Sequence, residues 1–314
     1  MPQAAPLFDD IADGPAGGAA QWLTTSDGRR IRAGHWSVDK AEAKGTVLIF
    51  PGRTEYIEKY GMTARALAAA GYATLAVDWR GQGLADRLIT DVALGHVGSF
   101  ADYQHDVQAL MDHAAAIALP RPYFLIGHSM GGCIGLRSLA TGLDVNAVMF
   151  SAPMWGIGMS RALHSFAWGL SSLSQSLKFD ERIVPGQLPA SYLLHQPFAG
   201  NALTNDAEIY AALRQQVIAH PELALGGPSL RWLRQSLQEM RDLARLPSPA
   251  TPCITFLGGK ETIVDSDAIR RRMAQWPGGV LHEIKTGRHE MLMDSPEMRD
   301  MVMAKTLAHF DAHR

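Results

Sequence analysis

The sequence predicts an α/β fold built on a mostly parallel, eight-stranded sheet with helices on both faces. Short, continuously apolar segments alternate with helix-like segments along most of the 314-residue chain. Strands have this character when helices cover both sides of a parallel sheet. A sharp turn at residues 127–131 separates one apolar strand from the helix that follows it. The alternation stops at residues 154–246, which are helical in pattern and indicate an insertion between two strands of the sheet.

The composition is that of an ordinary globular protein without a large excess of charge. Hydrophobic residues make up 47% of the chain, charged residues 19%, and the formal net charge is −2. We therefore expect no nucleic-acid partner. Cys133 and Cys253 both lie in apolar stretches and are expected to be core residues, so the sequence predicts neither a disulfide nor a metal site. No cofactor is expected, and the sequence carries no signal for an oligomeric state.

The N-terminal residues lack the pattern of a signal peptide, because no basic segment precedes an apolar one. No apolar run approaches the roughly 20 residues that are needed to span a bilayer. These observations predict a cytoplasmic protein. Residues 1–20 are rich in Ala, Gly and Pro and are expected to form a weakly ordered N-terminal segment.

The sheet domain is predicted to comprise residues 21–153 and 247–314. Residues 21–38 predict two strands joined by a Ser-Asp-Gly turn. The remaining strands are predicted at 46–50, 73–77, 122–126, 145–150, 254–257 and 280–284. Helices are predicted at 58–70, 101–119, 133–140, 266–275 and 295–313.

The inserted residues 154–246 are predicted to form a helical cap, or lid, over the active site. Apolar residues recur at helical spacing over residues 163–177 and again over 230–243, and both stripes are interpreted as packing faces. Arg231 and Arg234, within the second stretch, are interpreted as solvated charges, and contact with a phosphate or an anionic membrane surface is the alternative.

The turn at 127–131 reads Gly-His-Ser-Met-Gly between a strand and a helix, which is the setting of a nucleophilic serine. Gly127 and Gly131 leave room where a Cβ atom would clash in so tight a turn. The Ser129 hydroxyl then projects above the sheet at the positive end of the following helix. Ser129 is therefore the predicted nucleophile, and the side chains of His128 and Met130 are expected to pack or to line the pocket.

A serine hydroxyl needs a base to remove its proton, and the base needs a third group to orient it. His289 lies in the loop between the last strand and the closing helix, from which an imidazole can reach Ser129, and it is the predicted base. Glu261 and Asp265 both follow the first strand after the insertion. Asp265 directly precedes a helix, where capping would satisfy its carboxylate. Glu261 is therefore favoured as the acid, with Asp265 as the alternative.

Attack on a carbonyl also requires hydrogen-bond donors for the developing oxyanion. The backbone N–H of Met130, directly after the nucleophile, is one predicted donor. The other is the backbone N–H of Arg53, in the loop after the strand at 46–50. Residues 78–83 are interpreted as a structural turn braced by Arg and Asp contacts.

Several segments resemble the bacterial lysophospholipases of the monoacylglycerol-lipase-like group, which have the α/β-hydrolase fold. The motifs that carry this resemblance are 51–60, 78–83, 94–97, 127–132 and 226–228 together with Trp232. The resemblance extends from about residue 45 to 314 and implies hydrolysis of single-chain lipid esters, with the lid forming an acyl-binding tunnel. It also implies that the acid is Glu261. The corresponding oxyanion loop usually begins His-Gly in the wider group, whereas here it begins Pro51-Gly52. Because the expected donors are backbone N–H groups, this difference does not affect the predicted oxyanion hole.

Together these observations predict a serine esterase that cleaves a lysophospholipid or a monoacylglycerol through an acyl-enzyme intermediate. Its expected partner is this small-molecule lipid ester, and peripheral contact with a membrane surface is a further hypothesis. Two alternatives stay open. A peptidase or amide hydrolase would use the same catalytic residues, and a non-catalytic lipid-binding protein could retain the fold.

Overall fold

The computed structural model describes residues 3–314, except for the side chain of Arg161. It confirms the predicted mostly parallel sheet. Its nine strands have the order β1-β2-β3-β5-β4-β6-β7-β8-β9. β1, β2, β3 and β5 are joined by antiparallel pairs, and the pairs from β5 through β4 to β9 are parallel. The strands are β1 Gln3–Ala5, β2 Ala19–Thr24, β3 Arg30–Trp36, β4 Gly45–Phe50, β5 Tyr72–Asp78, β6 Tyr123–His128, β7 Ala147–Ser151, β8 Cys253–Gly258 and β9 Val280–Ile284.

The prediction of eight strands is wrong by one. The additional strand is β1, which pairs antiparallel with β2 so that Gln3 lies opposite Trp22. It falls within residues 1–20, for which the sequence predicts a weakly ordered segment; residues 1 and 2 lie outside the described residues. A strand of three residues is too short to show alternation, and it forms because the edge of β2 offers unpaired backbone groups.

Helices cover both faces of the sheet, and two apolar cores lie beneath them. Leu48 and Phe50 of β4 contribute to one core, whereas Val47 and Ile49 contribute to the other, because successive side chains of a strand point to opposite faces. The helices are α1 Asp9–Ala12, α2 Gly61–Ala69, α3 Tyr103–Ala116, α4 Met130–Ala140, α5 Arg161–Ser176, α6 Tyr192–His195, α7 Ala207–Ala219, α8 Leu230–Leu243, α9 Ser266–Ala274 and α10 Pro296–Asp311. α3, α4 and α9 pack on the first core, and α2 and α10 on the second.

The helices α5 to α8 lie in the segment that connects β7 to β8. The apolar stripe of α8 is buried, as predicted. The same prediction is wrong for much of α5 and for its C-cap Leu177, since Leu163, Phe166, Leu173 and Leu177 are 51%, 63%, 54% and 62% exposed. α5 lies against α8, and its buried positions carry the small residues Ala167, Ser171 and Ser174. Small side chains let two helices approach closely and leave the leucine-rich stripe facing outward.

Buried ion pairs hold the turn at residues 78–83. The Arg32 guanidinium is fully buried and donates to Glu58 at 2.7 and 2.8 Å and to Asp78 at 2.7 Å. Asp78 also accepts from the backbone N–H of Ile57 at 2.9 Å, and so connects the end of β5 to the segment after β4. These contacts agree with the structural role that the sequence predicts for the turn.

Within residues 3–314, no helix combines the length and the apolar character that crossing a bilayer requires.

Candidate active site

Ser129 lies in a strained turn between β6 and α4. Its backbone has φ +48° and ψ −115°, a combination that residues with a side chain rarely adopt. A Cβ atom on Gly127 would lie 2.9 Å from Phe150 Cδ1, and one on Gly131 would overlap the backbone of Phe50. Glycine is therefore required on both sides of Ser129 because neighbouring strands approach the turn so closely. The turn has the geometry that the sequence predicts.

His289 and Glu261 form a buried hydrogen bond. His289 Nδ1 donates to Glu261 Oε2 at 2.7 Å, since an ionised carboxylate can only accept, and the side chains are 5% and 0% exposed. Glu261 Oε1 also accepts from the backbone N–H groups of Ile263 at 2.6 Å and Val264 at 3.2 Å. Burial alone would raise the pKa of Glu261, but the His289 contact and the two amides outweigh it and lower that pKa below its usual value.

Asp265 has a different role in the structure. Its Oδ1 accepts from the backbone N–H groups of Asp267 at 2.9 Å and Ala268 at 3.1 Å, so it caps α9. The structure therefore places Glu261, and not Asp265, against His289.

Ser129 and His289 line the same cavity, which has a volume of about 490 Å³. The loop after β4 contributes Gly52 and Arg53 to its wall. Most of the remaining wall is apolar, and much of it comes from the segment between β7 and β8, including Met154, Met159, Leu163, Phe166, Leu170, Leu213, Trp232 and Leu233. The cavity thus combines a few polar groups beside Ser129 with an extended apolar lining.

The two predicted oxyanion donors are positioned by separate elements. Met130 opens α4, where an amide has no acceptor within its own helix. The backbone N–H of Arg53 donates to no group in the described part of the chain. The loop around Arg53 is held on both sides, because Gly52 N–H donates to Glu55 Oε2 and Gly52 O accepts from Gln82 Nε2 at 2.8 Å.

A buried charged cluster, which the sequence did not indicate, lies beside these residues; it consists of Glu55, Lys59, His128 and Glu290. The Lys59 ammonium donates to Glu55 Oε1 at 2.6 Å and to Glu290 Oε1 at 2.7 Å. His128 Nε2 lies 3.5 Å from Glu290 Oε2, and the His128 ring centroid is 4.8 Å from that of His289. Glu290 directly follows His289 in the sequence, but Lys59, to which it is bonded, lies 231 residues earlier, so no local pattern in the sequence indicates the pair.

The charges of this cluster offset one another. Burial opposes ionisation of Glu290, yet Lys59 and His128 lower the pKa of its carboxyl well below the usual range. Ligand atoms of Glu55, His128 and Glu290 lie within 4.8 Å of one another, as a metal site would require. The Lys59 ammonium, however, already bridges the two carboxylates, so the protein supplies its own cation at this place.

The strand order and the strained serine turn place the chain in the class of α/β hydrolases, and solved structures agree. A soluble variant of monoglyceride lipase from Saccharomyces cerevisiae, solved with a substrate analog, superposes with a TM-score of 0.72 at 20% identity, covering 93% of this chain and 94% of that one. A thermostable carboxyl esterase from Bacillus coagulans, solved with glycerol, gives 0.75 at 16% identity over 95% and 99%. Similarity at this level shows the fold.

Sequence comparison narrows the class to a family. Residues 41–296 match the family described as serine aminopeptidase, S33. The chain is also 30% identical over 277 residues to lysophospholipase L2 of Escherichia coli strain K12, an alignment that covers 85% of this chain and 80% of that protein. The chain therefore belongs to the serine aminopeptidase S33 family of hydrolases. The resemblance to lysophospholipases and monoacylglycerol lipases that the motifs indicate is confirmed.

We expect the protein to lose stability as the pH falls below about 4.5, and the Glu261→Gln variant to lose less of its own stability over that range. The pKa of Glu261 is lower in the folded protein than in the unfolded chain. Its ionised carboxylate therefore stabilises the fold fully above the pKa of the unfolded chain. This stabilisation is lost as the pH falls through the pKa of the folded protein. The measurement is the urea midpoint at constant ionic strength from about pH 6 to about pH 3. Glu208→Gln, a change at an exposed residue of α7, is the control and should follow the wild type. Identical pH profiles for Glu261→Gln and the wild type would contradict the assignment.

Proposed function

We propose that this protein is a serine ester hydrolase that cleaves the fatty-acyl ester of a lysophospholipid or a monoacylglycerol. The observation that carries the proposal is the shared cavity, in which Ser129 and His289 face an extended apolar lining. An ester carbonyl can lie beside Ser129 while its acyl chain occupies the apolar part. The similarity to lysophospholipase L2 of Escherichia coli supports the same substrate class.

The proposed reaction uses Ser129, His289 and Glu261 as nucleophile, base and orienting acid. Ser129 Oγ attacks the ester carbonyl while His289 Nε2 accepts its proton, and the Glu261 carboxylate holds the imidazole and stabilises its charged form. The backbone N–H groups of Arg53 and Met130 donate to the oxyanion. His289 then gives its proton to the departing alcohol. A water molecule, deprotonated by the same imidazole, attacks the acyl-enzyme, and the imidazolium returns that proton to Ser129 Oγ as the fatty acid leaves.

We also propose that the inserted residues 154–246 act as a lid that encloses the acyl chain. α5 contributes Leu163, Phe166 and Leu170 to the cavity wall, and α8 contributes Trp232 and Leu233. Each methylene that such a wall removes from water contributes about 0.8 kcal/mol. An acyl chain of ordinary length can therefore supply much of the binding energy.

The family description also raises the alternative of an aminopeptidase, whose substrate carries an α-ammonium group. Such a substrate needs a free carboxylate in the cavity. Glu55 and Glu290 are the carboxylates nearest to this role, but both are engaged by Lys59. The side chain of Arg53 adds a positive charge to the cavity wall, which would repel an ammonium group. The charges of the site thus favour an ester substrate without a cationic group at this position.

We expect the purified wild type to hydrolyse lysophospholipids and monoacylglycerols much faster than aminoacyl amides, and Ser129→Ala to lower kcat by about 10⁴-fold or more. The loss follows because no other group at the turn can form the acyl-enzyme. The measurement is release of fatty acid or amine from purified protein of each form. Activity that survives in Ser129→Ala would refute the mechanism, and cleavage of amides without cleavage of esters would refute the lipid assignment.

We expect Glu261→Gln to lower kcat by about 10²- to 10⁴-fold, because the amide can present its N–H to His289 and hold the wrong tautomer. Asp265→Asn is the matched control, since it makes the same chemical change in the same loop at a helix cap. It should alter kcat by less than about threefold and cost at most about 1 kcal/mol of stability. A larger kcat loss in Asp265→Asn than in Glu261→Gln would reverse the assignment of the acid.

Peripheral contact with a membrane is the last part of the proposal, and the exposed stripe of α5 supports it. Leu163, Phe166, Leu173 and Leu177 lie on one side of the helix, and Leu163 and Phe166 also line the cavity. An amphipathic helix can insert such a face into the boundary between head groups and acyl chains.

We expect Leu173→Asp combined with Leu177→Asp to weaken binding to phosphatidylglycerol–phosphatidylcholine vesicles by about tenfold or more, because two exposed apolar side chains are lost from the contact. The measurement is co-sedimentation with the vesicles. Val92→Asp changes an equally exposed apolar residue outside α5 and should bind like the wild type. Equal co-sedimentation of the double variant and the wild type would remove α5 as the contact.

A further inference from the structure

The side chain of Arg53 lies in the wall of the active-site cavity, on the side where the inserted segment meets the sheet domain. Its Nη1 donates to the carbonyl oxygen of Gly226 at 2.8 Å, and its guanidinium carbon lies 5.6 Å from the centroid of the Trp232 ring. Among the described residues, the Gly226 carbonyl is the one hydrogen-bond partner of this side chain. A guanidinium has five N–H donors, so most of its capacity is unused.

Arg53 differs from the other basic side chains of this cavity because it has no acidic partner. Lys59 is paired with Glu55 and Glu290, and His289 is bonded to Glu261. Within the described part of the chain, no carboxylate oxygen lies within 4.0 Å of the Arg53 guanidinium. Burial lowers the pKa of Arg53 to about 10, so the side chain stays charged at neutral pH although its surroundings disfavour the charge.

The cations of α8 that sequence patterning singled out are occupied elsewhere. Arg231 Nε donates to Asp180 Oδ2 at 2.6 Å, so this residue is ion-paired and the prediction of a solvated charge is wrong for it. Arg234 lies over the ring of Trp168 at 3.7 Å from the centroid and does not line the active-site cavity. Among the described residues, Arg53 is therefore the cation of the cavity wall that has no acidic partner.

The position of Arg53 is fixed by two motifs that have no part in the proposed chemistry, residues 94–97 and 226–228. Gly226 N–H donates to Ala93 O at 2.7 Å, and a Cβ atom on Gly226 would lie 2.6 Å from the backbone nitrogen of Ala190. Gly95 N–H donates to Gly227 O at 3.0 Å. A Cβ atom on Gly95 would lie 3.3 Å from Arg53 Nη1. The two motifs thus form a glycine-rich seat for the guanidinium.

We propose that the Arg53 side chain binds the phosphate of a lysophospholipid head group, so that lysophospholipids are preferred over monoacylglycerols with the same acyl chain. This inference rests on the proposed function. A guanidinium recognises phosphate through parallel charge-assisted hydrogen bonds. Because the backbone N–H of the same residue is the proposed oxyanion donor, Arg53 would hold both the ester carbonyl and the phosphate, which the glycerol of one lipid molecule connects.

A second anionic oxygen group also arises in the proposed reaction, namely the carboxylate of the released fatty acid. That product is common to lysophospholipids and monoacylglycerols, so an Arg53 that served only the carboxylate would affect both substrates equally. The ratio of kcat/KM for the two substrates therefore distinguishes binding of the head-group phosphate from binding of the fatty-acid carboxylate. Any disturbance of the oxyanion loop by a substitution at residue 53 also cancels in this ratio.

The first test compares 1-palmitoyl lysophosphatidylglycerol with 1-palmitoylglycerol in the same detergent micelles. We expect Arg53→Gln to lower the ratio of kcat/KM, lysophospholipid over monoacylglycerol, by about tenfold or more, mainly through KM. Arg53→Lys keeps the charge without the planar fork and should give an intermediate ratio. Arg234→Gln makes the same change outside the cavity and should leave the ratio at the wild-type value. A wild-type ratio in Arg53→Gln overturns the proposal.

The second test does not depend on hydrolysis. Calorimetric titration with sn-glycerol 3-phosphate, with glycerol as the uncharged reference, should show phosphate-dependent binding to the wild type and to Arg234→Gln. Arg53→Gln should bind sn-glycerol 3-phosphate about tenfold or more weakly. If the wild type cleaves neither lipid but binds sn-glycerol 3-phosphate in this Arg53-dependent way, the proposed function is refuted and the proposed phosphate site is supported. Absence of binding to the wild type, or equal binding to Arg53→Gln, overturns the site.

Discussion

The Lys59 ammonium connects the loop that carries Arg53, a proposed oxyanion donor, to the loop that carries His289. It bonds Glu55, which also holds the backbone N–H of Gly52, and it bonds Glu290, the residue after His289. Two carboxylates buried at this depth are tolerated because a cation lies between them, and removing one member of such a group usually costs about 3–5 kcal/mol. The Lys59 ammonium thus compensates the buried charges of Glu55 and Glu290 and, by bonding both, fixes the two loops relative to each other.

Local rules in the sequence were sufficient to predict the parts of this site that depend on local structure. The strand, the glycines and the helix around Ser129 are contiguous, so the strained turn could be recognised directly. The N-cap position of Asp265 could also be recognised directly, because an N-cap depends only on the residues that follow it. The Glu55–Lys59–Glu290 contacts could not be predicted in this way, because Lys59 and Glu290 are 231 residues apart and meet only when the sheet has formed. The exposed stripe of α5 was missed because helical spacing indicates an apolar face without indicating what covers it.

For Arg53, the sequence predicts the place of the backbone N–H but not the direction of the side chain. The sequence predicts its backbone N–H near Ser129, and in the structure β4, which precedes this loop, pairs with β6, which precedes Ser129. The direction of its side chain depends on Gly95 and Gly226, which come from distant segments and leave space for the guanidinium. Sequence patterning therefore directed attention to Arg231, which the structure pairs with Asp180. The physical distinction is pairing: a cation next to an acid of its own chain is already neutralised, whereas an unpaired cation in a cavity wall is free to bind an anion.

Leu163 and Phe166 connect the interior of the cavity with the outer surface of α5. Both side chains line the cavity, and both are more than half exposed, so the apolar wall continues onto the surface without a polar barrier at these residues. Exposed apolar area of this kind is unfavourable in water and persists where binding covers it. On the proposed function, a lipid that enters along this surface transfers its acyl chain from one apolar environment to another. A substrate that is poorly soluble in water then accounts for both the exposed apolar side chains of α5 and the apolar lining of the cavity.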